Sequence, residues 1–169
     1  KSMSLKQYTN ELTADVLAEL DKSPFTEEAL ADMSDDALAI IREQEKYVRQ
    51  HPITCIYRLA VAGCLTRRGG VGDEFSPNPE EGYKIRLENG QWASVLTEGC
   101  TVTYPDGTQA RIVTSAGSQF ASIDGKGMAL VNSLLDNGDE IISTPQNSVV
   151  LTRRAGESMP ADFLVMPGA

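Results

Sequence analysis

Four Asn-Gly or Asp-Gly dipeptides, at 89–90, 106–107, 124–125 and 137–138, punctuate the chain downstream of Pro52. Such pairs favour tight reversals, because glycine accepts positive φ without steric cost and Asn or Asp tolerates it. The runs beside them are short and rich in apolar and β-branched residues: Ile53–Leu65, Tyr83–Leu87, Trp92–Leu96, Thr101–Tyr104, Ala110–Thr114, Met128–Val131, Glu140–Ser143 and Val149–Leu151. Reversals this close together leave room only for short strands. Val71–Gly82, which contains Pro77, Pro79, Glu80 and Glu81, reads as a polar surface loop.

Upstream of Pro52 the period changes. Leu5, Tyr8, Leu12, Val16 and Leu20 recur at three- and four-residue steps, which predicts one helical stripe. Ser23-Pro24 then opens a short second helix to about Met33. Ser34-Asp35-Asp36 caps a third, with its acids where the helix dipole favours them. Leu38, Ile41 and Val48, flanked by Ile40 and Tyr47, form its apolar face, and Pro52 ends it. The chain therefore reads as α+β: a helical segment over 1–52, a β-domain over 53–148 and a strand or tail over 149–169.

The strand half carries an internal repeat. Ala60, Ala93 and Ala129 each open a unit that reaches a glycine turn, at Gly69-Gly70, Asp106-Gly107 and Asn137-Gly138. An isoleucine strand, at Ile85, Ile112 or Ile141, then follows. No single hairpin buries enough apolar surface to stand alone, so three such arms must share one core. Ala93, Val95, Ile112, Ala129, Val131 and Ile141 are its expected centre, and a side chain at Gly138 is expected to cost stability.

Lysine and arginine total 15 against 24 acids, a formal charge of −9. This argues against binding a phosphate backbone. The acids crowd into Glu11–Glu45, which reads as a solvated face or a docking surface for a basic partner. Cys55, Cys64 and Cys100 are odd in number and widely spaced, so reduced, packed thiols are expected. His51 at a helix end, the acid pairs Asp35-Asp36 and Glu80-Glu81, and the base pairs Arg67-Arg68 and Arg153-Arg154 form no catalytic constellation. No nucleophile elbow or phosphate loop is present. The expectation is a chain that is not an enzyme.

Five motifs in order resemble the PAAR family: Thr66-Arg67-Arg68-Gly69-Gly70; Asn89-Gly90-Gln91-Trp92-Ala93-Ser94-Val95; Tyr104-Pro105-Asp106-Gly107; Asp124 to Val131; and Asn137-Gly138-Asp139-Glu140-Ile141-Ile142. The resemblance covers roughly Ile56 to Gln146. It implies a β-rich cone of three hairpin-like arms that caps the trimeric spike of a type VI secretion or related contractile apparatus. It also implies transient contact with a target membrane, and an effector, chaperone or adaptor engaged through the N-terminal helices. Such a protein is made in the cytoplasm and exported by the apparatus. The start of the chain has no apolar core of a secretory signal.

Family members commonly hold zinc near the tip through histidines and a cysteine. Here the corresponding places carry Arg68, Tyr104, Asp106 and Asn137. No zinc or other cofactor is therefore expected, and Trp92 and Tyr104 are the candidate replacements, with Trp92 read as core. The alternatives are a toxin with its activity in the helices, or a freestanding β-domain that binds a glycan or peptide on Trp92.

Overall fold

The computed structural model describes residues 5–75, 82–121 and 125–166. The protein is mixed α+β with a β-rich body. Helices α1 (Ala14–Leu20), α2 (Glu27–Ala31) and α3 (Asp35–Gln50) come first. Short strands follow: β1 (Ile53–Arg58), β2 (Leu65–Thr66), β3 (Val71–Gly72), β4 (Lys84–Arg86), β5 (Trp92–Ser94), β6 (Thr101–Thr103), β7 (Gln109–Arg111), β8 (Ile141–Ser143) and β9 (Val150–Arg154). No helix among the described residues is long and apolar enough to cross a membrane.

Two compact units result. One takes the described residues of Lys1–Asn10, Ile56–Leu151 and Met159–Ala169; the other is Glu11–Cys55 with Thr152–Ser158. These limits differ from the 1–52, 53–148 and 149–169 expected from the sequence. Residues 5–10 do not continue a helical stripe. Tyr8 instead exchanges both backbone hydrogen bonds with Thr144, at 2.8 and 3.0 Å. Asn10 donates to Val131 O at 2.8 Å and accepts from Arg58 N at 2.8 Å. Arg58, 4 % exposed, donates to Thr9 O and Asn147 Oδ1 at 2.6 and 2.5 Å. The three-and-four spacing of Leu5, Tyr8 and Leu12 is real, but these long-range bonds outcompete a local helix.

Each helix begins on a hydroxyl cap: Thr13, Thr26 and Ser34 accept from Val16 N, Ala29 N and Ala37 N. The second helix thus starts on Thr26 rather than at Ser23-Pro24 and is shorter than the sequence predicts. Ser34 and Pro52 delimit the third as expected.

The body is built around one closed cycle of backbone bonds. Ala60 N donates to Ala129 O, Ala129 N to Leu96 O, and Leu96 N to Ala60 O, at 2.9, 2.8 and 3.0 Å. Three flanking bonds join the same segments in the opposite sense, from residues two places after these to residues two places before them: Ala62 N to Ser94 O, Glu98 N to Gly127 O, and Val131 N to Arg58 O. The bonding equates Ala60, Leu96 and Ala129. The alanine of the second unit is therefore not Ala93, which pairs with Ile85 in the β4–β5 ladder. Nor does Ile85 return the first arm. Gly72 does, since Gly72, Ile112 and Ile141 donate in turn to the carbonyls of Cys64, Cys100 and Ser133. Met128–Val131 forms isolated bridges rather than a strand, because its partners change at each step around the cycle.

Each segment leaves the cycle through one turn type. Cys64 N, Cys100 N and Ser133 N donate to the carbonyls three residues earlier, and the residues just before them hold φ of +90°, +87° and +91°. Glycine fills that left-handed place at 63 and 99; Asn132, one of the side chains that tolerates it, fills it at 132. The hairpins that follow contribute to one antiparallel sheet, ordered β7-β6-β3-β2-β8. β1 pairs with β9, and β4 with β5. Ala93, Val95, Ile112, Ala129, Val131 and Ile141 all lie in the buried cluster, with Leu96, Leu130 and Leu135 among the residues beside them.

The cysteines are free. Cys100 Sγ accepts from Thr97 N at 3.4 Å, and at the equivalent place Ser133 Oγ accepts from Leu130 N at 2.9 Å. Burial pushes the Cys64 thiol up to about 12. A thiol titration of the native protein at pH 8 is expected to leave Cys64 unmodified until denaturant is added; rapid labelling in the folded state would contradict its burial.

Candidate functional site: a polar knot joining three hairpin ends

The residues singled out at the turns come from the ends of three hairpins: Arg68, Gly69 and Gly70 after β2; Tyr104, Pro105, Asp106 and Gly107 after β6; and Asn137 and Gly138 before β8. The fold brings Arg68, Tyr104 and Asn137 into one network. Arg68 Nη1 donates to Asn137 O at 2.9 Å, and Asn137 Nδ2 donates to Tyr104 Oη at 2.9 Å. A shallow depression of about 380 Å3 lies between these residues, Pro105, Asp106 and Thr108.

At the centre is Asp139, 2 % exposed. Its carboxylate accepts from Tyr104 Oη at 2.5 Å, Arg68 N at 3.1 Å and Glu140 N at 2.8 Å, and it is hydrogen-bonded to the Thr66 side chain. Asn137 Oδ1 accepts from Asp139 N at 3.0 Å and fixes the approach. One carboxylate thus ties residues of all three hairpin ends. Burial alone pushes the Asp139 carboxyl up. The bonds from Thr66, Tyr104, Glu140 N and Arg68 N outweigh it and hold the carboxyl below the usual range. Burial, then the bond to Asp139, raises the Tyr104 phenol.

Gly70 permits this packing: a Cβ there would lie 2.4 Å from Val102 Cγ1 and 3.0 Å from Tyr104 Cε1. Asp106 stays out of the knot and caps its own turn, accepting from Thr108 N and Oγ1 at 3.0 and 2.6 Å. Gly69, Gly107 and Gly138 hold φ of +91°, +87° and +85° at the bends.

Asp139 and Thr66 were not singled out from the sequence as site residues. A signal existed: Asp139, Ile141 and Ser143 alternate on one face, so an inward Ile141 places Asp139 inward too. Trp92 is a correction. It lies on β5 with 56 % of its surface exposed, neither core nor part of the knot, while Ala93 and Ser94 after it are buried.

The site does not suit zinc. Zinc takes imidazole, thiolate and carboxylate; here a single carboxylate sits among a phenol, an amide and a guanidinium. Among the described residues no group of three His, Cys, Asp or Glu side chains could hold a metal ion. His51 lies elsewhere, as the C-cap of α3. Its ring stacks on Tyr47 with centroids 4.0 Å apart, and Nδ1 lies 2.9 Å from Tyr47 O. The search of family models, curated proteins and solved structures returned no match to this chain.

Proposed function

We propose that the chain is a non-enzymatic tip protein that caps the trimeric spike of a type VI secretion or related contractile apparatus. In that role it helps pierce the target membrane and carries or recruits an effector. The observation that carries this reading is the closed bonding cycle of Ala60, Leu96 and Ala129. Three segments of one chain bonded around a single ring would suit the symmetry of a trimeric end. The carboxylate-centred knot supports it further. A piercing element must be rigid without a large core, and bonds across all three hairpin ends supply rigidity. The protein is made in the cytoplasm and leaves with the apparatus, and its helices engage an effector, chaperone or adaptor.

Co-expression with the trimeric spike protein of the same genome tests the proposal. One chain per spike trimer is expected by light scattering. Failure of the purified partners to associate at micromolar concentration would reject it.

The exposure of Trp92 favours a second reading, a β-domain that binds a glycan or peptide. Phe75 and Tyr83 are exposed as well, and aromatic faces suit both ligands. Trp92 is the sole tryptophan, so its emission reports on one site. A red-shifted native spectrum is expected, and Trp92→Ala should change stability by no more than about 0.5 kcal/mol. Saturable quenching by an oligosaccharide or peptide, with no spike binding, would decide for this reading.

A further inference from the structure

The helical unit has an unfinished core. Neither α1 nor α2 buries a single residue, and α3 buries only Ile41; Ile53 is the other buried apolar side chain of the unit. Helices of 7 and 5 residues are not stable on local bonds and need an apolar partner. What the unit has instead is an open groove of about 640 Å3, floored by Leu20, Pro24, Phe25, Ile41, Val48 and Pro52. Ile41, Val48 and Pro52 follow one face of α3 and its exit, a run of about 16 Å at helical rise. Phe25 is 38 % exposed at the groove.

Charge selects the occupant. Residues 11–36 carry nine acids and one base, Lys22, for a net of −8, and the whole unit is at −6. The rim itself bears both signs, Asp21 and Glu45 with Lys22, Arg49 and Arg154, so the acidic bias comes from the α1–α2 stretch beside it. A second copy of the same acidic face would be repelled, whereas a basic segment would be drawn in.

We infer that this groove docks an amphipathic helix whose apolar seam covers Phe25, Ile41 and Val48 and whose polar face is basic. The inference gives chemistry to the adaptor role proposed above and rests on that reading only for the partner's identity. Spike association is measured separately, so either can fail alone.

The probes are synthetic peptides of about five helical turns, with one leucine seam and a polar face of Lys, Gln or Glu, titrated against the full chain by fluorescence anisotropy. The Lys peptide should bind at least about tenfold tighter than the Gln peptide, and the Glu peptide should not bind. Phe25→Ser with Val48→Ser should weaken the Lys peptide about tenfold, with the fold checked by circular dichroism. Glu19→Gln with Asp32→Asn, which leaves the groove intact, should erode the Lys preference. Equal binding of Lys and Gln peptides overturns the inference. So does Lys binding that the groove variants leave unchanged while the fold persists, and so does self-association that they abolish.

Discussion

Asp139→Ala is expected to destabilise the β-rich unit by about 3 kcal/mol, a fall in Tm of about 6–12 °C for a chain of this size. The carboxylate accepts hydrogen bonds from Tyr104, Arg68 N, Glu140 N and Thr66. Removing it strands those donors where little water reaches them. The cost is that of several unsatisfied polar groups rather than of one lost contact. Asp139→Asn should cost less, since one oxygen remains to accept. The same carboxyl gives a pH signature. Its folded pKa lies below the ordinary value, so its contribution is full above the unfolded carboxyl's pKa, about 3.9. That contribution is lost as pH falls through the folded pKa. In the Asn variant the acid limb of stability, followed by thermal melts between about pH 2 and 5, should flatten. An unchanged acid limb would remove Asp139 from the centre of the knot. Chelator should leave the wild-type melt in place.

The second large effect is expected from Gly72→Ile, although that change makes the first arm match Ile112 and Ile141. A Cβ at Gly72 would lie 2.6 Å from Cys64 Sγ and 2.8 Å from Leu96 Cδ1. Cys64 and Leu96 already occupy the volume that an isoleucine would need, and both are fully buried. Overpacking a closed core costs about 1–3 kcal/mol, and the upper end is expected here. Gly72→Ala probes the same clash more gently. Combined with Cys64→Ala it should cost less than the two changes added, because the second opens space for the first. Strict additivity in denaturant melts would show that Gly72 is not held by this contact.

The two bends show how far the sequence could be read. Asn137-Gly138 and Asp106-Gly107 announce reversals through residues with local conformational preferences, and both stand where they were expected. The closing ring is different. Which carbonyl Leu96 N reaches is decided by packing over a separation of tens of residues, and no local preference encodes it. Similarity of residue type points through Ala93 and Ile85, whereas the backbone bonds group Leu96 with Ala60 and Ala129, and Gly72 with Ile112 and Ile141. The helical stripe failed for the same reason. Tyr8 satisfies a helical spacing and equally an extended pairing with Thr144, and a distant partner settles the choice. In the candidate site, Arg68, Tyr104 and Asn137 could be named because they flank turn glycines. Asp139 is harder to name: an acid beside a turn ordinarily faces water, only its alternation with Ile141 and Ser143 marks it as inward, and the partners that hold it come from the other two arms. Trp92 reads as core because aromatic residues are core material on average, yet it is exposed at the start of β5 while Ala93 and Ser94 are the residues buried there.

The cyclic bonding of Ala60, Leu96 and Ala129 also governs how the chain is made. A ring has no stable half. Until the stretch around 127–131 leaves the ribosome, the first two segments lack the neighbour that completes them, and Tyr8 waits longer still for Thr144. Contacts between residues so far apart in the chain carry a large loop-closure cost and slow the search. Folding of the β-rich unit should therefore be a late, all-or-none event near the end of synthesis. A fragment stopping before residue 127 should remain open and prone to aggregate, however sound its individual hairpins.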